Sequence, residues 1–164
     1  MQLTSDTAKA LETQPDAATS LLGLCCRLLD LSALAVLQSK ALEPLMEVAA
    51  RFAASVQHPT LCRAALAWVA AVAEWSNSLA SSAARSECTC WLQRWLAEDA
   101  AGQQLLSVVL NGCVEGPAIL VDAYHSLLHK VGHPNERCTI DSAPCGSCLA
   151  RSMLLLLCLT FNRS

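Results

Sequence analysis

The sequence predicts an all-α fold in which antiparallel helix pairs stack as an α-solenoid fragment, and three observations predict it. Ala and Leu dominate a chain of 164 residues that is 54% hydrophobic and only 4% aromatic, and these are strong helix formers, whereas strands favour β-branched and aromatic residues. Apolar residues recur in alternating steps of three and four, the spacing of one helix face. The helical stretches also group into units of roughly 40 residues, a length at which helix pairs stack rather than close on themselves.

Residues 1–14 are polar and read as a flexible N-terminal segment. The first helix is expected at Pro15, where a missing N–H costs nothing in the first turn. It runs on through Leu21, Leu22, Cys25, Leu28 and Leu29, and the pattern loosens at Asp30-Leu31-Ser32. Leu42, Leu45, Ala49, Phe52 and Val56 define the second helix, with Glu47 and Arg51 as an i, i+4 acid–base pair. It stops before Pro59, because a residue preceding proline is pushed out of helical geometry. The third helix starts at Pro59 and has the strictest periodicity: Leu61, Ala65, Trp68, Val72, Trp75 and Leu79. Its two Trp are read as core.

Ser76–Ser86 is small and polar and reads as a loop, followed by a short helix over Glu87–Ala97 with Trp91 and Trp95 one turn apart. Gln103–Cys113 and Pro117–Val131 complete the body, the last with Leu120, Tyr124, Leu127 and Val131 inward and Gly132 as its stop. The pairs are Pro15–Val56, Pro59–Ala97 and Ala100–Val131, close to the HEAT and armadillo period. Residues 15–132 thus form about three HEAT/ARM-like pairs, with a compact six-helix bundle as the alternative. Buried positions are expected at Leu42, Leu45, Phe52, Leu61, Trp68, Val72, Trp75, Leu120, Tyr124 and Leu127. Residues 133–164 form a divergent Cys-containing tail with a short apolar helix. Its Leu154–Leu159 stretch is expected to leave apolar surface and cause self-association.

With 15% charged residues the chain is too apolar for general disorder. A net charge of −3 without a Lys/Arg block excludes a nucleic-acid surface. The Met153–Leu159 run is too short for a bilayer, which needs about 20 apolar residues, so no membrane partner is expected. Ten cysteines might suggest disulfides. Cys25, Cys26, Cys62 and Cys113 lie in apolar helical stretches, however, where a reduced thiol acts as a small hydrophobe. The N-terminus lacks a basic head and apolar block, so no secretory signal is expected, and a reducing compartment is consistent.

Cys145 and Cys148 form a C-x-x-C, but no strand pattern precedes it, which weakens a thiol-redox reading. A zinc site would need His125 and His129, one turn apart, joined to Cys145 and Cys148, with His133 and Cys138 as the remaining candidates. Cys88 and Cys90 are too close for a zinc knuckle and read as half-buried helix-start residues. Glu98-Asp99 reads as first-turn charge for the helix that follows. There is no phosphate loop or nucleophile elbow. No enzyme activity and no cofactor are expected.

QPDAATSLLGLCCRLLDL, HPTLCRAALAWVAAV and AGQQLLSVVLNGCVEGPAILVDAYHSLLHKVG together resemble successive HEAT helices of the importin-β (karyopherin) superfamily. The branch they resemble is that of the transportin-SR-like receptors, in the C-terminal portion of the solenoid. The resemblance runs from Gln14 to Gly132 and ends before the tail. It implies part of a nuclear transport receptor, shared between nucleus and cytoplasm, that binds protein cargo under the control of the GTPase Ran. The Ran-binding N-terminal repeats have no counterpart in this sequence. Another helical-repeat scaffold, or a Cys/His zinc-binding protein, is the alternative function.

In such solenoids the second helices line the concave surface. The partner-facing candidates are therefore the off-stripe residues Glu43, Glu47, Arg51, Arg94, Glu98, Asp122, His125 and His129. A solvated face is the plainer account of the same residues.

Overall fold

The computed structural model describes residues 13–55 and 57–132. Among the described residues there are six helices and no strand: α1 (Pro15–Leu37), α2 (Leu42–Ala53), α3 (Pro59–Ser78), α4 (Ser82–Glu98), α5 (Ala100–Glu115) and α6 (Ala118–Gly132). The fold is all-α, with helices packed on one another. Proline sets several boundaries. Gln14 (φ −131°, ψ 75°), His58 (φ −125°, ψ 80°) and Gly116 (φ −73°, ψ 163°) each precede a proline, and each has left helical geometry.

Three local expectations are corrected. The Ser-rich stretch is mostly helix: only residues 79–81 separate α3 from α4, because the Ser81 hydroxyl accepts the Ala84 N–H and caps the new helix. The Arg85 guanidinium then donates twice to the Leu79 carbonyl, tying the turn shut. Cys88 and Cys90 therefore lie well inside α4, the first buried and the second exposed, rather than at a helix start. α1 continues past the Asp30–Ser32 irregularity to Leu37, with Ser32 (φ −156°, ψ 65°) as a kink rather than an end. At 23 residues α1 is also the one described helix long and apolar enough to cross a membrane, a property that no continuous apolar run reveals because Arg27 and Asp30 interrupt it.

The core is centred on α3, where Trp68, Val69 and Val72 are fully buried. Of the ten expected core positions, eight are buried, and Leu45 and Trp75 are only half-buried. Trp75 turns its indole N–H to Asp30 Oδ1 on α1, at 3.2 Å, and so stays near the surface.

Of the three expected pairs only the first does not form: α1 barely meets α2, whereas α4 packs on α3 and α5 packs on α6. α1 packs along α3 rather than along α2, α6 packs along the other side of α3, and α2 packs on α3 and α5. This gives one row, α1–α3–α6, and a second layer containing α2 and α5. α4 is laid against α5 and α3. Two side-chain contacts fix the direction within the row. Arg63 donates to the Ile119 carbonyl near the start of α3 and α6, and Lys130 pairs with Glu74 near their ends at 2.6 Å. Both contacts join residues 56 apart in sequence, as only parallel helices in constant register allow. Asp30 and Trp75, 45 apart, set the register of α1 on α3. An antiparallel α1 would carry the buried Ala18 and Leu22 beyond the end of α3, so α1 runs in the same sense. The extra length of the second step is where α4 is inserted.

Two glycines let the layers close. A Cβ on Gly102 would strike the Trp95 carbonyl across the tight α4–α5 corner, where Asp99 alone links the helices and its carboxylate accepts the Ala101 N–H at 2.8 Å. A Cβ on Gly112 would enter the Tyr124 ring. Among the described residues, three buried side-chain polar atoms have no hydrogen-bond partner: Trp68 Nε1, Trp95 Nε1 and Ser76 Oγ.

Candidate binding cleft between α2 and α4

α4 carries Trp91, Arg94, Trp95 and Glu98 at steps of three and four, so all four share one side of the helix. The two indoles stack, with ring centroids 6.4 Å apart and planes 18° from parallel. Trp95 is buried beneath and Trp91 is half-exposed. Glu43, in the first turn of α2, faces this side, and Asp99 closes its end. Together Glu43, Trp91, Arg94, Trp95, Glu98 and Asp99 line an open cleft of about 250 Å³. Three carboxylates face one guanidinium over an aromatic floor, so the cleft is acidic. It suits a cation with an apolar stem, held by carboxylates at its head and by the Trp91 face at its side.

Three of the eight partner-facing candidates, Glu43, Arg94 and Glu98, thus come together. Glu47 and Arg51 are exposed one and two turns further along α2, in line with Glu43, and form no ion pair with each other. Asp122, His125 and His129 are exposed on α6, which belongs to the α3 row rather than to the α2 layer, and they do not join the cleft. The equal-pair register placed α6 beside α2 and α4; the inserted α4 breaks that register. Trp91, Trp95 and Asp99 were not anticipated as site residues. The signal that identifies them is the W-x-x-R-W-x-x-E spacing itself, which puts both Trp on the face of the charged pair.

The zinc expectation rests on His125, His129, Cys145 and Cys148. The two cysteines lie outside the described residues, and among the described residues no three His, Cys, Asp or Glu side chains gather as a metal site. The described cysteines are free thiols. Burial pushes the Cys25, Cys62, Cys88 and Cys113 thiols up, and Cys26 is pushed up by burial and by neighbouring Cys25 and Asp30. Thiols held protonated in this way are poor nucleophiles. Cys62 serves packing instead: its thiol donates to the Ala53 carbonyl at 3.2 Å, joining α2 to α3, and lies 3.9 Å from the Tyr124 hydroxyl. The Tyr124 phenol is pushed up to about 12, first by burial and then by Cys62.

Comparison of the chain with protein-family models, with curated proteins and with solved structures finds no match in any of the three.

Proposed function

We propose that the chain is part of a nuclear transport receptor of the importin-β type, a HEAT-repeat scaffold that captures protein cargo between cytoplasm and nucleus under Ran control. The observation that supports a solenoid is the parallel row α1–α3–α6. A repeated helix pair translated along an axis brings equivalent helices side by side in one direction, at a sequence offset equal to the repeat length. The offset of 45 residues between α1 and α3 falls within the HEAT range of about 40–47. The row meets the second layer through α2 on α3 and α5 on α6, with α4 laid between α3 and α5. The transport function itself rests on the sequence resemblance across Gln14–Gly132.

In this reading the α2–α4 cleft receives Lys or Arg side chains of cargo, and the Glu47/Arg51 line extends the contact along α2. The test is fluorescence anisotropy of a labelled Arg/Lys-rich peptide with the full chain at low and high salt, beside pull-downs of purified nuclear proteins. Salt-weakened binding is expected, and Glu43→Lys with Glu98→Lys should weaken it about tenfold, equivalent to about 1.4 kcal/mol, with the helical circular dichroism unchanged. Equal binding of an acidic peptide, or wild-type capture by the double variant across the cargo set, overturns the reading.

A further inference from the structure

α1 buries Ala18, Leu22, Cys25 and Leu29 and turns a second apolar stripe outward. Leu24, Leu28, Leu31 and Leu34 are 54%, 45%, 82% and 44% exposed. They account for four of the six large exposed hydrophobics among the described residues; the others, Val114 and Ile119, stand on different helices. From these observations and the chain that follows α6, we infer that the outer face of α1 is the docking site for the apolar run Met153–Leu159 of the same chain.

Geometry favours this occupant. Because the row is parallel, α6 ends at the level of Glu74, and Asp30 of α1 meets Trp75 at that same level. The chain therefore leaves α6 at the end of the row where Leu28, Leu31 and Leu34 are uncovered. The axes of α1 and α6 lie about 16–20 Å apart, two helix-packing distances. The linker of about 20 residues before Met153 can extend to about 66 Å, so reach is ample. The nearer surface offers less, because around a lone exposed Ile119 the outer face of α6 presents Asp122, His125, Ser126 and His129. The cleft on α2 and α4 is acidic.

Area decides between this segment and a second copy. A stable dimer buries about 800 Å² on each partner, more than one stripe of four leucines supplies. A tethered segment needs far less, since a flexible linker holds it at an effective concentration in the millimolar range. The run expected to make the chain self-associate thus has a seat on its own molecule.

The test uses the full chain with the photo-crosslinking residue p-benzoylphenylalanine at Leu31, and in a second preparation at Leu24. An equimolar mixture of ¹⁴N and ¹⁵N chains is irradiated and the joined peptides are read by mass spectrometry. The expected product is a monomer-sized species joining α1 to residues 151–161, both peptides carrying one isotope label. Leu155→Asp with Leu156→Asp should abolish that product and raise the emission of an apolar-surface dye severalfold. Mixed-isotope products, which mean a second copy, overturn the inference, as does efficient labelling elsewhere or no product at either position. None of these outcomes involves cargo, so the transport reading stands or falls separately.

Discussion

The two edges of the α1–α3–α6 row are built differently. At the α6 edge, Arg63 and Lys130 fix both ends of the helix, Tyr124 is sunk over Gly112 and against Cys62, and the outer face is polar but for Ile119. At the α1 edge a single exposed hydrogen bond, Trp75 to Asp30, sets the register, and the outer face is leucine-rich. Both helices bury comparable apolar stripes on α3, so hydrophobic attachment alone does not separate them. The difference lies in what faces away: the α6 edge is finished toward water, whereas the α1 edge still has apolar surface to cover.

The largest expected effect strikes both edges at once. Trp68 lies in the middle of α3 with no exposed surface, and Trp68→Ala should cost about 3–5 kcal/mol in chemical denaturation. Trp68→Phe should cost much less, because the indole N–H has no acceptor to lose. A uniform loss for both substitutions would mean that the shape of the indole, rather than its volume, holds the row.

Next in size is Gly112→Ala, whose added methyl enters the Tyr124 ring. Tyr124 is 1% exposed and has little room to retreat, so a cost of about 1–3 kcal/mol is expected. Hydrogen exchange should then rise in α6 while α1 stays protected; equal loosening at both edges would erase the distinction drawn between them.

A smaller effect depends on pH. The Tyr124 phenol is pushed up from 10.0 to about 12, so the folded state retains a proton that the unfolded state releases. Stability from this group is complete below pH 10 and is lost as pH rises toward 12. Tyr124→Phe should flatten the stability profile across that window, and an unchanged slope would place the titration elsewhere. The smallest effect is at the surface: Lys130→Ala removes an exposed ion pair with Glu74 and should cost about 0.2–1 kcal/mol, less in high salt.

Much of the fold was legible because helix α3 and the buried stripe of α6 keep their three-four alternation without interruption. The start of α4 was not, since Ser and Ala alternate there and serine serves equally as loop and as cap. The pairing of helices was hidden for a different reason. Periodicity locates the buried side of each helix and says nothing of which neighbour covers it, so α1 was counted as the partner of α2 although α3 covers it. The cleft was half legible. Glu43, Arg94 and Glu98 stood off the apolar stripes, whereas Trp91 and Trp95 marked only a helix turn, and nothing in their spacing tells that Trp95 is buried while Trp91 stays half-exposed.

The 45-residue step between α1 and α3 also sets a clock. A helix whose covering partner lies that far downstream emerges from the ribosome well before the surface that will receive it. At about 5–20 residues per second, synthesis leaves α1 without α3 for about 2–9 s. During that interval both of its leucine faces are bare, and a nascent chain of this kind is a natural client for co-translational chaperones.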